Sequence, residues 1–480
     1  MQVKRCVRRS AALQTLALAL AVAITHMGAP SRAEAQTRTP HQQLTFDIYK
    51  ELVEINTSQS VGDTYKASQA MAAHLLAAGF PEADVLAIET APKRGNLVAR
   101  YRGTGKRKPV LLLAHIDVVE AKREDWSTDP YQLVERDGYY YGRGTADDKY
   151  MAAMFIANFV RYRQEGYRPD RDLIIALTTD EEISDQHEYG IRWLLKNRRD
   201  LIDAEFALNE GGGVAAKDGK AVSNSVQTTE KLFQSYWLEV RDKGGHSSQP
   251  TRNNAIYRLS EGLTRLSKYD FPVQLNDTTR AYFTRLSQIE TGPLAADMKA
   301  VATSTPPDPA AVARMSAMTP FNAQLRTTCV AVRLEGGHAD NALPQLARAM
   351  VNCRIVPGMK PAEVQKLLVE VVADKDIVIT PEAADTASDP SKLDPQVFGP
   401  IEKLTKKLWP GIPVLPTMSA GATDGRFLRN AGIPTYGTSG LEADMFDVRA
   451  HGRDERVNIQ AFYKGQDYLY QLVRTLAGGK

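Results

Sequence analysis

The sequence predicts an α/β fold: a mainly parallel sheet flanked by helices and interrupted by a smaller α+β insert. Helix-like and strand-like segments alternate from about residue 43 to 225. Two of the strands, PVLLLAH and RDLIIALTTD, are near-continuous apolar runs, as expected where a sheet is covered on both faces. Near 230 the pattern changes, and after Pro357-Gly358 the alternation resumes. At 480 residues the chain exceeds one ordinary core, so two or three domains are expected.

The elements follow in order. Lys4, Arg5, Arg8 and Arg9 precede an uncharged Ala/Leu-rich run from Ala11 to Ile24, and Ala33-Glu34-Ala35 offers small residues for cleavage. That is the pattern of a secretory signal peptide over residues 1–35, and it predicts a secreted or periplasmic protein with no membrane anchor after cleavage. These residues carry five basic side chains and one acid, so the formal net charge of +3 falls to about −1 without them. No basic stripe remains, which argues against a nucleic-acid partner. Composition, at 43% hydrophobic and 24% charged, is that of a globular protein rather than a disordered one.

Residues 36–228 form the first part of the main domain. KASQAMAAHLLAAG reads as a helix stopped by Gly79, followed by strands at NLVARY and PVLLLAH. YMAAMFIANFVRYRQEG and EYGIRWLLKNRRD are helical around the strand RDLIIALTTD, and FALNEGGG is a strand entering a glycine-rich turn. Residues 229–352 form the insert, with strands at KLFQSYWLEVRD, RTTCVAVRLE and ARAMVNCRI, a helix at NNAIYRLSEGLTRLSKY, and a polar excursion over 270–325 whose pattern is uninformative. Residues 353–480 return to the main domain through a helix at PAEVQKLLVEVVA, a strand at DIVIT and further helices. Of the three cysteines, Cys6 leaves with the signal. If the two flanking segments are hairpin arms, Cys329 and Cys353 lie opposite each other and can form a disulfide; otherwise they are buried thiols.

Ligand-type residues collect where strands end, the usual functional edge of an α/β sheet. LLLAHIDVV carries His115 and Asp117; GRGTADDK carries Asp147 and Asp148 after a Gly-x-Gly turn. LTTDEE carries Glu181 and Glu182, FALNEGGG ends in Glu210, and ARAHGRDERV offers His451. Each alone has an ordinary explanation: a helix start that favours Asp, a solvated acidic loop, an unremarkable histidine. Together His115, Asp147, Glu182, Glu210 and His451 supply imidazoles and carboxylates suited to borderline divalent ions such as zinc. A shared Asp147 would hold two ions roughly 3.5–4 Å apart. Glu181, next to a ligand, would be placed to take a proton from the attacking water.

The motifs HID, GRGTADDK, TTDEE, NEGGG, GGHSSQP and HGRDERV, in this order, resemble those of the M20 family of dinuclear zinc peptidases and acylases. The likeness extends over about 43–480. The long insert, NEGGG and HGRDER look most like the branch with carboxypeptidase S and the secreted N-acyl-amino-acid hydrolases. The resemblance implies a zinc-hydrolase catalytic domain and a lid that dimerises in many relatives, making a homodimer an expectation here. It implies two zinc ions per chain: His115 and His451 bind one each, Asp147 bridges, and Glu182 and Glu210 complete the spheres. Asp117 would orient His115, and Glu181 would be the general base. His246 in GGHSSQP matches a lid histidine that stabilises the oxyanion in a neighbouring active site. Asn341 and Arg354 match substrate-contacting positions, the arginine gripping a terminal carboxylate, and Gly421 in GATDGR matches a substrate-side loop. Tyr150 stands where many relatives carry Gly, and Asn209 where close relatives often carry Asp.

The implied activity is hydrolysis of a peptide bond beside a free C-terminal carboxylate, as in a carboxypeptidase. The alternative is an N-acyl-amino-acid amidohydrolase with the same machinery. A non-catalytic binding protein on this fold would be expected to lack ligands or the base, and none is missing here. An aminopeptidase lacking a lid would have no counterpart to the insert.

Overall fold

The computed structural model describes residues 38–183, 188–383 and 386–480. The expected signal segment lies outside the described residues. Of the unit formed by residues 1–40 only 38–40 are described, and residues 41–480 form the other unit.

The principal sheet has ten strands. At its centre Leu173–Thr178, Val110–His115 and Phe206–Asn209 lie side by side and parallel, and Thr435–Gly437 runs parallel to the last of these. Antiparallel pairs flank them: Val85–Ala91 with Arg94–Tyr101 on one side, Val214–Lys217 with Lys220–Glu230 on the other. The apolar runs are explained by two-sided cover. Leu112, Ala114, Ile175 and Leu177 pack into one core with helix Lys149–Gln164, whereas Leu111, Leu113, Ile174 and Ala176 pack into another with Ile191 and Leu194. Successive side chains of a strand face opposite ways, so a strand between two helix layers must be apolar at every position. The three central strands therefore end together, with His115, Thr178 and Asn209 at one edge.

A separate four-stranded antiparallel sheet is ordered Thr328–Gly336, Leu346–Ile355, Leu232–Arg241, Ile377–Pro381. Leu346–Ile355 alternates between half-buried and buried residues along its whole length. Its inner face packs on helices Ala255–Leu266 and Pro361–Val372. This corrects the expected boundary. Helix Pro361–Val372 and strand Ile377–Pro381 belong with the smaller sheet, so the insert does not end at 352. A helix followed by a strand reads alike in sequence whichever sheet accepts the strand. Cys329 and Cys353 sit in direct register and form a disulfide.

The excursion over 270–325 is helical: Asp277–Leu286, Gly292–Thr303, Pro309–Ser316 and Thr319–Leu325. Local chemistry starts two of these helices. Asn276 and Thr279 form a capping box, and Asp308 accepts from the Ala311 N–H with Pro309 at the first position. Phe283, Met298, Val301, Met315 and Leu325 close a small core against Leu415 of the principal sheet.

A three-stranded ladder joins segments far apart in sequence. Tyr139–Tyr141 pairs antiparallel with Val134–Arg136 and with Arg456–Asn458. It brings HGRDERV beside GRGTADDK. Among the described residues no helix is long and apolar enough to cross a membrane.

Candidate metal centre

His115 ends its strand with its side chain 1% exposed. Its Nδ1 lies 3.0 Å from the Asp117 carbonyl oxygen, which accepts the Nδ1–H and turns Nε2 toward the carboxylates. Nε2 is 3.0 Å from Asp147 Oδ1 and 3.9 Å from Glu210 Oε1. On the other side, His451 Nε2 is 3.2 Å from Asp147 Oδ2 and 2.9 Å from Glu182 Oε2. His115, Asp147 and Glu210 thus form one group of potential ligands, and Asp147, Glu182 and His451 a second. Asp147 is common to both and offers a different oxygen to each.

These residues fit a metal pair. Donor atoms each about 2.0–2.2 Å from a tetrahedral ion lie about 3.4 Å from one another, close to the separations here. The charge balance points the same way. Burial, with repulsion from neighbouring carboxylates, holds Glu181 and Glu210 well above the usual carboxylate range despite the attraction of His115. Burial acts against a charged His115, but the Glu210 charge and contacts with Asp117 and Asp147 hold its pKa well above normal. Hydrogen bonds to Asp147 and Glu182 raise His451 to about 10. A site with this many acidic groups competing for two imidazoles is one that cations stabilise.

Asp117 has a role beyond the one expected. Its carboxylate is 3.7 Å from His115 Nδ1, too far for a good hydrogen bond, and the carbonyl makes that contact instead. The carboxylate accepts the backbone N–H groups of Glu181 (3.2 Å) and Glu182 (3.0 Å). It therefore pins the acidic loop to the end of the His115 strand.

The adjacent acids diverge. Asp148 stands at the start of helix Lys149–Gln164, where the unpaired N–H groups favour an acid, although its side chain makes no capping bond. Neither of its carboxylate oxygens has a hydrogen-bond partner, and burial raises its pKa well above normal. Asp148 is in neither ligand group. Asn209, which stands where close relatives often carry Asp, is in neither ligand group and donates from Nδ2 to Thr423 Oγ1 at 3.3 Å. Tyr150 is buried, and burial holds its hydroxyl pKa well above normal.

Sequence reasoning missed three supporting groups. Glu455 is fully buried and binds Arg143 Nη1 at 2.6 Å while accepting the N–H groups of Ala146 (2.7 Å) and Gly144 (3.2 Å). It braces the turn that delivers Asp147, and Arg143 also donates to the Gly452 carbonyl beside His451. Asp424, in the GATDGR loop, accepts from Thr178 Oγ1 at 2.8 Å; burial raises it to about 7, and its charge is felt at Glu181. Both carboxylates stand in motifs singled out for a different residue. Replacing Glu455 with Ala is expected to destabilise the fold by about 3–5 kcal/mol, because it leaves Arg143 buried without its carboxylate. Denaturant unfolding of the variant measures this.

Among the expected substrate residues, Arg354 Nη1 donates to the Ala420 carbonyl at 3.0 Å and its guanidinium lies 4.6 Å from the Phe233 ring centre. That brings Arg354 to the loop of Gly421, whose N–H donates to Ser419 Oγ at 3.0 Å. His246 and Asn341 come together elsewhere, on the short ladder of Gly245–His246 and Ala342–Leu343, where the Ser247 N–H donates to the Asn341 carbonyl at 3.0 Å. His246 is exposed, its Nδ1 2.7 Å from Ser248 Oγ, and it joins neither ligand group.

Residues 111–475 match the model of peptidase family M20/M25/M40. The chain belongs to this family. It is 30% identical over 378 residues to an N-fatty-acyl-amino acid synthase/hydrolase of Xenopus tropicalis, covering 76% of this chain and 72% of that protein. It is 27% identical over 394 residues to a probable carboxypeptidase S-like protein of Dictyostelium discoideum, covering 79% and 74%. The fold is shared with an M20 family metallo-carboxypeptidase from Sulfolobus solfataricus, at a TM-score of 0.66 and 17% identity over 90% of this chain and 99% of that one. As an M20 peptidase homologue the chain is a metal-dependent amidohydrolase.

Proposed function

We propose that this amidohydrolase is exported, holds two zinc ions, and cleaves an amide bond whose amine-side product is an amino acid with a free carboxylate. The observation that carries the reading is the sharing of Asp147 between two imidazole–carboxylate groups, with Glu181 beside them. His115, Asp147 and Glu210 would hold one ion, and Asp147, Glu182 and His451 the other. When bound, the ions supply Lewis acidity toward the scissile carbonyl and the attacking water. Glu181 takes the proton of that water and returns it to the leaving amine. His246 acts at the developing oxyanion if a neighbouring subunit or a lid movement brings it there.

Arg354 receives the substrate carboxylate, because a planar guanidinium matches it bidentately. This favours carboxypeptidase-like release of a C-terminal residue. The second reading, an N-acyl-amino-acid hydrolase, is favoured by the likeness to the N-fatty-acyl-amino acid synthase/hydrolases. Assays on a blocked dipeptide and an N-acyl amino acid with the same carboxyl-terminal residue separate the two. Arg354→Met is expected to lower kcat/KM about 10–100-fold on either, from loss of a charge-assisted contact, and to change little on the C-terminally amidated analogues. Equal losses on amidated substrates would remove the carboxylate role.

Export is supported by the basic–apolar–small order of residues 1–35. Zinc is supported by the mix of imidazole and carboxylate donors, and elemental analysis of purified protein tests it. A homodimer through the smaller sheet is supported by its edge strand Thr328–Gly336, which exposes Val330, Val332 and Leu334. Light scattering after gel filtration is expected to give twice the chain mass. A fully active monomer would remove any cross-subunit role for His246.

A further inference from the structure

Strand Glu442–Asp444 pairs with Val214–Lys217, and Arg456–Asn458 with Tyr139–Tyr141; the loop over 445–455 between them carries His451. Little apolar cover holds this loop. Met445, Phe446 and Val448 are 48%, 75% and 77% exposed, and the His451 side chain is 55% exposed. His115, by contrast, ends a strand of the buried sheet. His451 and Asp454 also take positive φ angles of 62° and 50°, a region that residues with a Cβ keep only where their surroundings hold them. A metal ligand on such a loop needs a polar anchor.

Asp447 supplies it. Its Oδ1 accepts from Arg449 Nε at 2.6 Å, and its Oδ2 accepts from Arg456 Nε at 3.0 Å and Nη2 at 2.7 Å. One carboxylate thus joins residues on either side of His451. Arg449 extends the clasp: its carbonyl accepts the Gly452 N–H at 2.8 Å, and its Nη1 lies 3.4 Å from the Asp454 carbonyl oxygen. Arg456 ties it to the fold, donating from Nη1 to Tyr141 Oη at 2.8 Å with its guanidinium 4.0 Å from the Tyr139 ring centre. Burial acts against a charged Asp447, but the bonds to the two arginines hold its carboxyl below the usual range. Charge-assisted contacts of this kind are about twice as strong as neutral ones.

We propose that Asp447 is a positioning residue for the metal pair: by clasping Arg449 and Arg456 it holds His451 toward Asp147 and Glu182, and so raises the affinity of that ligand group alone for its ion. Asp447 itself is in neither group. The effect stays with one ion because the group of His115, Asp147 and Glu210 contains no residue of the loop, and the turn that carries Asp147 has its own brace in Glu455. The inference rests on the two-ion reading given above and does not depend on which amide is cleaved.

The test is release of zinc from the full-length protein to a chromophoric chelator of known affinity, read in two backgrounds that each keep one ligand group complete. In Glu210→Ala, which keeps the His451 group, adding Asp447→Asn is expected to weaken the retained zinc about tenfold, the lower end of what partners behind metal ligands contribute. In Glu182→Ala, which keeps the His115 group, the same change is expected to leave zinc affinity unaltered. Arg449→Gln opens the clasp from its other side and is expected to give the same pattern, with the double variant no worse than either single one. In the otherwise wild-type enzyme, Asp447→Asn is expected to lower activity at limiting zinc and recover it at saturating zinc with KM unchanged, which a general loss of structure would not do. Equal weakening in both backgrounds, weakening in neither, or activity that zinc does not restore would overturn the proposal. A wild type that releases fewer than two zinc ions would instead overturn the two-ion reading.

Discussion

Glu181→Gln is expected to lower kcat by about 10²–10⁴-fold, the usual worth of a positioned proton-transfer group, while the bound metal is unchanged. The two parts of this result have separate physical causes. Glu181 belongs to neither ligand group, so exchanging its carboxylate for an amide removes no ligand. Its backbone N–H, which donates to Asp117 at 3.2 Å, is untouched, so the loop that also presents Glu182 stays pinned. What is lost is a group able to accept and return a proton, in a setting where burial and neighbouring acids already raise proton affinity. Steady-state kinetics beside elemental analysis reads both parts. A variant that turns over like the wild type removes Glu181 as the base, and one that also loses metal makes it a ligand instead.

Asp147→Ala is expected to empty both positions of the metal pair and to reduce activity to the background rate. This follows from its two oxygens, Oδ1 at 3.0 Å from His115 and Oδ2 at 3.2 Å from His451. Removing a shared ligand should differ from removing an unshared one. Glu182→Ala and Glu210→Ala each take a carboxylate from one group only and are expected to lower metal content at one position. Stability reports the same loss by another route. A ligand bound only by the folded state adds RT ln(1 + [L]/Kd), about 2.7 kcal/mol at a hundredfold excess over Kd. Thermal unfolding of the wild type should therefore move upward with added zinc, and that of Asp147→Ala should not. Equal metal content in Asp147→Ala and wild type would overturn the shared-ligand reading.

The candidate site was legible in outline because His115, Glu182 and Glu210 follow strand ends and Asp147 and His451 stand in turns marked by glycine, so each lies in a short motif. The partners of those residues were less legible. Whether Asn209 or Glu210 faces His115 depends on where strand Phe206–Asn209 stops, and one residue of register reverses the answer. Asp117 could be matched to His115 from the His-x-Asp spacing, but its grip on the Glu181 and Glu182 amides arises between two different strand ends. Glu455 and Asp424 resemble surface acids in sequence, and only packing against Arg143, Thr178 and their neighbours buries them. Helix Pro361–Val372 and strand Ile377–Pro381 were seen as elements but assigned to the wrong sheet.

By itself, then, the sequence determined what is local or periodic: the apolar central strands, the helix between Asp148 and Gly166, and the set of residue types able to hold a metal. The tertiary structure alone decided which carboxylates share an imidazole, which sheet receives Ile377–Pro381, and that the polar excursion folds into capped helices. The reason is physical. Hydrophobic period and turn chemistry act over a few residues, whereas ligand geometry, strand pairing and burial of charge depend on contacts between segments hundreds of positions apart, as in the pairing of Tyr141 with Arg456.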